Sequence, residues 1–124
     1  MLRFASNAMA AVALITALMP LPVTLAKIVL SELELQAAIG NGSVLELGAD
    51  ILLNATVVIN QAASIDGKGY ALDGQSRIGC LRVEYGVHLV LSNITIYRGV
   101  AHTGGGIQVM EGSTLTASSA FFFK

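Results

Sequence analysis

Arg82 and Glu84 stand two residues apart in the stretch CLRVEY, with His88 four residues further on. On an extended strand, residues i and i+2 share a face. An acid and a base so placed could move protons or grip a charged sugar. The same pair on an open strand also makes an ordinary solvated ion pair. Asp50, Asp66 and Asp73 are carboxylates of the kind calcium takes, but no EF-hand or nonapeptide spacing organises them. Asp-Gly at 66–67 and 73–74 reads as turn chemistry instead. Cys80 is the single cysteine, which excludes an internal disulfide. A thiol nucleophile needs a base, and no sequence relation brings His88 or His102 to it. A small residue packed in a core or turn is the reading that remains, beside pairing with another molecule. The three glycines 104–106 would cradle a phosphate only between a strand and a helix, ahead of Lys-Ser or Lys-Thr. Here the alternating stretch IQV follows, so GGG is expected to be a corner. These residues supply no catalytic constellation, no metal ligand set and no cofactor site.

Charge is sparse, 12% of 124 residues with a formal net charge of −1, so no basic face offers itself to nucleic acid. The N-terminus MLRFASNAMAAVALITALMPLPVTLA has the three parts of a secretory signal. Arg3 is the positive part, Ala8 to Met19 the apolar part, and Pro20 and Pro22 break any helix there. Thr24 and Ala26 give the small residues that a signal peptidase reads, so cleavage is expected after Ala26. A retained membrane anchor is the rival, but an apolar run of about 12 residues falls short of the roughly 20 that span a bilayer. The chain is therefore expected to be secreted or held at the cell surface, with no membrane contact once cleaved.

After the signal, Ser31 can cap a short helix, with Glu32 and Glu34 in its first turn, Leu33, Leu35 and Ile39 on an apolar side, and Gly40 at its end. From Gly42 onward the texture is brief alternating runs broken by Gly, Asn, Ser and Asp. Hairpin signals of the Asn-Gly and Asp-Gly kind occur at 41–42, 66–67 and 73–74, but none lies between the later, clearest strands. An internal repeat is the better account. A shift of 26 sets Leu81 on Ile107, Val83 on Val109, Leu89 on Leu115 and Ile96 on Phe122, and Gly105 and Gly106 over Gly79 and Cys80. A shift of 24 backwards sets Leu81 on Val57, Val83 on Ile59, Leu89 on Ile65 and Ile96 on Leu72. An earlier turn puts Leu45 and Leu47 above Ile65 and Gly67.

A period in the mid-twenties, built of three short strands, is what one rung of a parallel β-helix requires. The fold expected is thus all-β: a right-handed parallel β-helix of about three rungs, with a short N-terminal capping helix, truncated at the C-terminus. Residues 1–26 would be the signal peptide, 27–43 the cap, and 44–124 the rungs. On this register Asp66 meets Val90 and Thr116, Glu84 meets Asn60 and Met110, Arg82 meets Val58 and Gln108, and His88 meets Ser64 and Thr114. None of these columns then stacks two carboxylates, or acid above base. Tyr70, Tyr85 and Tyr97 are spaced by 15 and 12, which the period cannot bring into one ladder.

The run LVLSNITIYRGVAHTGGGIQVMEGSTLTASSAFF, with the earlier SIDGKGYALDG, resembles the repeat of right-handed β-helix proteins of the pectate-lyase-like superfold. Within it the chain resembles the polymorphic outer membrane protein type, with GGGI at 104–107 for the GGA-I/L/V motif and FFFK, lacking the asparagine, for the F-x-x-N motif. The paired aspartates of the polygalacturonases and the basic motifs of the pectate lyases do not occur. Asn41, Asn54 and Asn93 each open an Asn-X-Ser/Thr acceptor for N-glycosylation, suited to an exported chain in a eukaryotic host. Asn93 and Ser92 also fall over Ser119 and Ser118, as polar corners would. The functional expectation is an exported, non-catalytic β-helix segment acting as a surface scaffold for adhesion or carbohydrate binding. Its partners would be polysaccharide or another surface protein, or a second copy through the open last rung. The alternatives are the N-terminal piece of a polysaccharide lyase or glycoside hydrolase with its catalytic rungs beyond Lys124, and a stalk that keeps its N-terminal helix in the membrane.

Overall fold

A computed structural model describes residues 25–100 and 106–123. Most of the expected signal peptide, residues 1–24, lies outside the described residues, as do His102, the first two glycines of GGG and Lys124. The chain's described residues are strand-dominated, with one short helix among them. Its elements are β1 (Lys27–Val29), α1 (Glu32–Ala38), β2 (Ser43–Leu47), β3 (Ile51–Leu52), β4 (Val57–Ile59), β5 (Ala63–Asp66), β6 (Ala71–Asp73), β7 (Leu81–Val83), β8 (His88–Tyr97), β9 (Ile107–Val109) and β10 (Thr114–Phe123).

Every strand pairing among the described residues is parallel. None of the Asn-Gly or Asp-Gly turns closes a hairpin. Three stacks result. The first runs β1, β2, β5, then the front half of β8 and of β10. The second runs β3, β6, then the back halves of β8 and β10. The third is β4, β7, β9. β8 and β10 serve two stacks because each bends at one residue with positive φ, Asn93 (50°) and Ser119 (51°).

The alternation read in the sequence is the burial pattern of the strands. β7 is buried, exposed, buried, and β8 repeats exposed, buried, intermediate, buried on both sides of its bend. The buried set, including Leu45, Ile59, Ile65, Leu72, Leu81, Val83, Leu89, Leu91 and Ile96, forms one apolar core. The columns Val57–Leu81–Ile107, Ile59–Val83–Val109 and Leu72–Ile96–Phe122 stand as the repeat implies. The remaining column, Ile65–Leu89–Leu115, needs correction. Ile65 pairs with Leu91, not Leu89, and Leu89 sits on Ala63. Likewise Asp66 pairs with Ser92 and then Ser118, not with Val90 and Thr116, and Ser64 pairs with Val90 rather than His88. The cause is the turn between β7 and β8, where Val87 N–H donates to Glu84 O (3.3 Å) around Gly86 at φ 71°. From Val83 to Leu89 the chain takes two more residues than from Ile59 to Ala63, the positions with which they stand in register.

Ser31 does cap α1, accepting from Glu34 N–H (3.2 Å), while Glu34 Oε2 accepts from Leu30 N–H (2.6 Å). Only Leu35 of the helix is buried; Leu33, expected beside it, is 79% exposed. Two residues along a helix turn by about 200°, so both cannot face one core. The cap also holds β1, which the single-helix reading omitted; Val29 in it is fully buried.

An inward position tolerates no unpaired charge. Val83→Asp and Leu89→Asp should each abolish cooperative thermal unfolding. Arg82→Ser and His88→Ser, at outward positions, should stay within about 0.5 kcal/mol of the parent in urea titration. Equal tolerance at all four would contradict this inside-outside assignment.

Candidate functional site

Where β5 and the front of β8 turn into the second stack, the outward side chains of three layers converge. Glu46 at the end of β2 lies in register with Asp66 at the end of β5. The expectation that the Asp66 column stacks no second carboxylate is therefore corrected. Lys68 bridges them, its Nζ 3.6 Å from Glu46 Oε1 and 3.7 Å from Asp66 Oδ2. Two like charges in one column would repel, and an intervening cation relieves this. Asp66 Oδ1 accepts from the Lys68 backbone N–H (2.9 Å) and from Asn93 Nδ2 (3.4 Å). Chiefly the Lys68 N–H holds the Asp66 carboxyl below its usual range; burial opposes it, and the Asn93 amide and the Lys68 charge add smaller pulls in the lowering direction. Beside this cluster an open cleft of about 360 Å³ runs over the bends, lined by Lys68, Asn93, Thr95, Ser119 and Phe121.

The backbone makes this corner tight. Gly69 N–H donates to Asn93 O (2.8 Å), and a methyl added at Gly67 would lie 2.5 Å from that oxygen and 2.6 Å from Ile94 Cα. Chemically the corner offers an ammonium, an amide, hydroxyls and the exposed ring of Phe121. That is a set for recognition. A carboxylate held ionised and hydrogen-bonded is a poor proton donor near neutral pH.

The other polar residues are structural in their geometry. Asp73, 7% exposed, receives Arg98 Nη2 at 2.5 Å and Nε at 3.0 Å, and the Gln75 N–H at 2.8 Å. Arg98 also lies over the Tyr97 ring, 5.0 Å from its centre. The guanidinium is the main reason that the Asp73 carboxyl is lowered. Asp50 Oδ1 accepts from Ala71 N–H (2.8 Å) in the next layer. Asp66 and Asp73 thus fix turns, as their Asp-Gly context suggested, while Asp50 ties its layer to the next. Cys80 is fully buried, its thiol directed at Leu72 O (3.6 Å). Burial pushes it up to about 11, so it stays a protonated packing residue at neutral pH. Arg82 and Glu84 pair with each other on the outer face, Nη2 to Oε1 2.8 Å. His88 Nδ1 meets the Thr114 hydroxyl above it. Gly106 does sit over Cys80, its carbonyl accepting from Cys80 N–H (2.8 Å). Its smallness serves close approach, since a methyl there would lie 2.2 Å from Ile96 Cγ2.

Of the glycosylation acceptors, Asn41 and Asn54 are exposed in turns, with the Asn54 side chain 3.5 Å from Arg77 Nη2. Asn93 is exposed at the β8 bend, its amide turned to Asp66. The corner cluster itself escaped sequence reasoning. The signal was present: extending Leu45-over-Ile65 by one residue puts Glu46 over Asp66.

Gly67→Ala should cost about 1–3 kcal/mol by overpacking, because its neighbours are backbone atoms that cannot swing away; a urea unfolding midpoint unchanged from the parent would refute the close approach. Asp73 gives a pH signature. Its folded value is lowered, so its stabilisation is present above the unfolded value and is lost as pH falls through the folded one. The melting temperature should therefore hold through neutral pH and fall below about pH 4, and Asp73→Asn should flatten that acid limb. Calorimetry across this range checks both.

Set against known protein families, curated proteins and solved structures, the chain matches none of them.

Proposed function

We propose that the chain is a segment of a right-handed parallel β-helix, exported to the cell surface or beyond. There it acts as a non-catalytic scaffold for adhesion or carbohydrate binding. The observation that carries this reading is the three parallel stacks around one apolar core, visited in the same order from layer to layer. Parallel strands joined by crossovers are right-handed in nearly all cases, about 98%. The N-terminal segment with Arg3, Ala8 to Met19 and Ala26 supports export. Among the described residues no helix is long and apolar enough to cross a membrane, and no three metal-binding side chains cluster. The outward faces offer pairs already engaged with each other, Arg82 with Glu84 and Asp73 with Arg98, instead of a free acid facing a free base. The cleft lined by Lys68, Asn93 and Phe121 is the place for ligand: the exposed Phe121 ring adds an apolar face for a sugar ring, and the Lys68 ammonium, held beside Glu46 and Asp66, supplies a charge at its edge.

Immobilised acidic and neutral polysaccharides test the reading, with binding and new chain ends measured on the same samples. The exported chain should bind at least one polymer and release no product. Lys68→Asn keeps a residue that tolerates the positive φ at that position and removes the charge. It should weaken binding about tenfold, the loss of roughly 1.5 kcal/mol for one charge-assisted hydrogen bond. Product release that vanishes in Glu84→Gln or Asp66→Asn would overturn the scaffold reading.

A further inference from the structure

Three dipeptides carry the sequence chemistry of spontaneous ring closure: Asn41–Gly42, Asp66–Gly67 and Asp73–Gly74. In each, the glycine nitrogen can attack the preceding side-chain carbonyl carbon, because glycine puts no side chain in the way. The fold restrains all three, but unequally. Each glycine N–H donates to a carbonyl of the next layer, Gly42 to Ala62 O (2.8 Å), Gly67 to Ser92 O (2.7 Å) and Gly74 to Tyr97 O (2.8 Å). A nitrogen so engaged neither gives up its proton nor turns towards a side chain until that bond opens. Gly67 and Gly74 are also buried, and a methyl on either would lie 2.5 Å from a backbone carbonyl oxygen. The side chains before them are carboxylates engaged by backbone N–H groups and by Lys68 or Arg98, which makes them poor targets for a nucleophile. Asn41 and Gly42 differ on every count. Both are exposed, the side chain is a neutral amide, and a methyl at Gly42 would meet nothing within 4 Å.

We infer that Asn41 is a site of spontaneous covalent modification, held shut by the Gly42–Ala62 hydrogen bond and released when that bond between layers opens. On release the Gly42 nitrogen bonds to Asn41 Cγ and the Cγ–Nδ2 bond breaks. Nδ2 leaves as ammonia, taking the proton that Gly42 gives up. Water then opens the cyclic imide at either carbonyl, leaving aspartate or isoaspartate at position 41. Both products add a negative charge, and isoaspartate also lengthens the backbone between α1 and β2 by a methylene. How often the site opens is set by the turn that holds it. Ser43 Oγ accepts from Gly40 N–H (2.6 Å) and donates to Ala38 O (3.0 Å), which ties the turn to the end of α1. The reaction thus reports local opening where the cap joins the first strand layers, and its rate follows the population of the open form.

The test incubates the exported chain, made without N-glycosylation, in mildly alkaline buffer with and without denaturing urea. Peptide mass spectrometry follows the amide-to-acid mass gain at Asn41 and isoaspartate at all three dipeptides. Asn41 should react in urea and at least about tenfold more slowly in the folded chain, since the folded chain must first open locally. In the folded chain, position 41 should still react before 66 and 73. Ser43→Ala should speed the reaction at 41 in step with faster hydrogen exchange of the Gly42 N–H, and leave 66 and 73 unchanged. The comparison of the parent with and without urea does not depend on that variant folding. Equal rates at Asn41 in folded and unfolded chain, no reaction there in either, or earlier modification at Asp66 or Asp73 in the folded chain would each overturn the inference. So would a rate at 41 that stays fixed while Gly42 exchange rises.

Discussion

Parallel stacking of like on like is the constraint from which the rest of this molecule follows. Each inward side chain must land on an inward side chain of the next layer, because a slip of one residue turns a whole strand inside out. The chain meets this while varying its turns. Val57 reaches Leu81 and Leu72 reaches Ile96 after 24 residues, yet Ala63 reaches Leu89 after 26. The turn at Glu84–Val87 adds two residues, and the bend at Asn93 removes two relative to Gly67–Tyr70. Both changes are even, so parity survives and the core stays apolar. A single-residue change at either place would bring Arg82- or Asp66-like side chains inward, at the cost of an unpaired buried charge.

The same constraint decides what the ends must do. A stacked strand leaves one edge unpaired, and buried backbone groups need partners. At the N-terminal end the solution is local and polar. The side chain of Gln36 imitates a neighbouring strand by giving and accepting at Val58, and Glu32 takes two N–H groups at Asn54 and Ala55. α1 thus contributes hydrogen bonds through its polar side chains and apolar burial through Leu35 alone.

Charge, excluded from the interior, collects where the chain turns. Asp66 and Asp73 each accept from the N–H two residues on, which fixes the turn, and each then holds a cation from the same turn or a neighbouring layer. The polar corner at Glu46, Asp66, Lys68 and Asn93 is therefore first a device for turning a stacked chain. The bends that it fixes leave a cleft between layers.

Much of the fold was legible in the residues themselves. Strand positions, the side of each strand that faces in, the capped helix at Ser31 and three of the four inward columns follow from period-two alternation and from repeats in the mid-twenties, which are properties of local side-chain order. The helix face was half legible: Leu35 goes in, but Leu33 beside it cannot, for a reason of helical geometry alone. What the tertiary structure decided is which side chains meet across a corner. Ile65 on Leu91, Glu46 on Asp66 with Lys68 between them, and Asn93 turned to Asp66 depend on how residues are shared between adjacent turns. Two residues gained at one turn and lost at the next leave the hydrophobic pattern of every strand unchanged, so the pattern carries no record of the exchange. Only the backbone hydrogen bonds between layers register it, and they form between residues far apart in the chain.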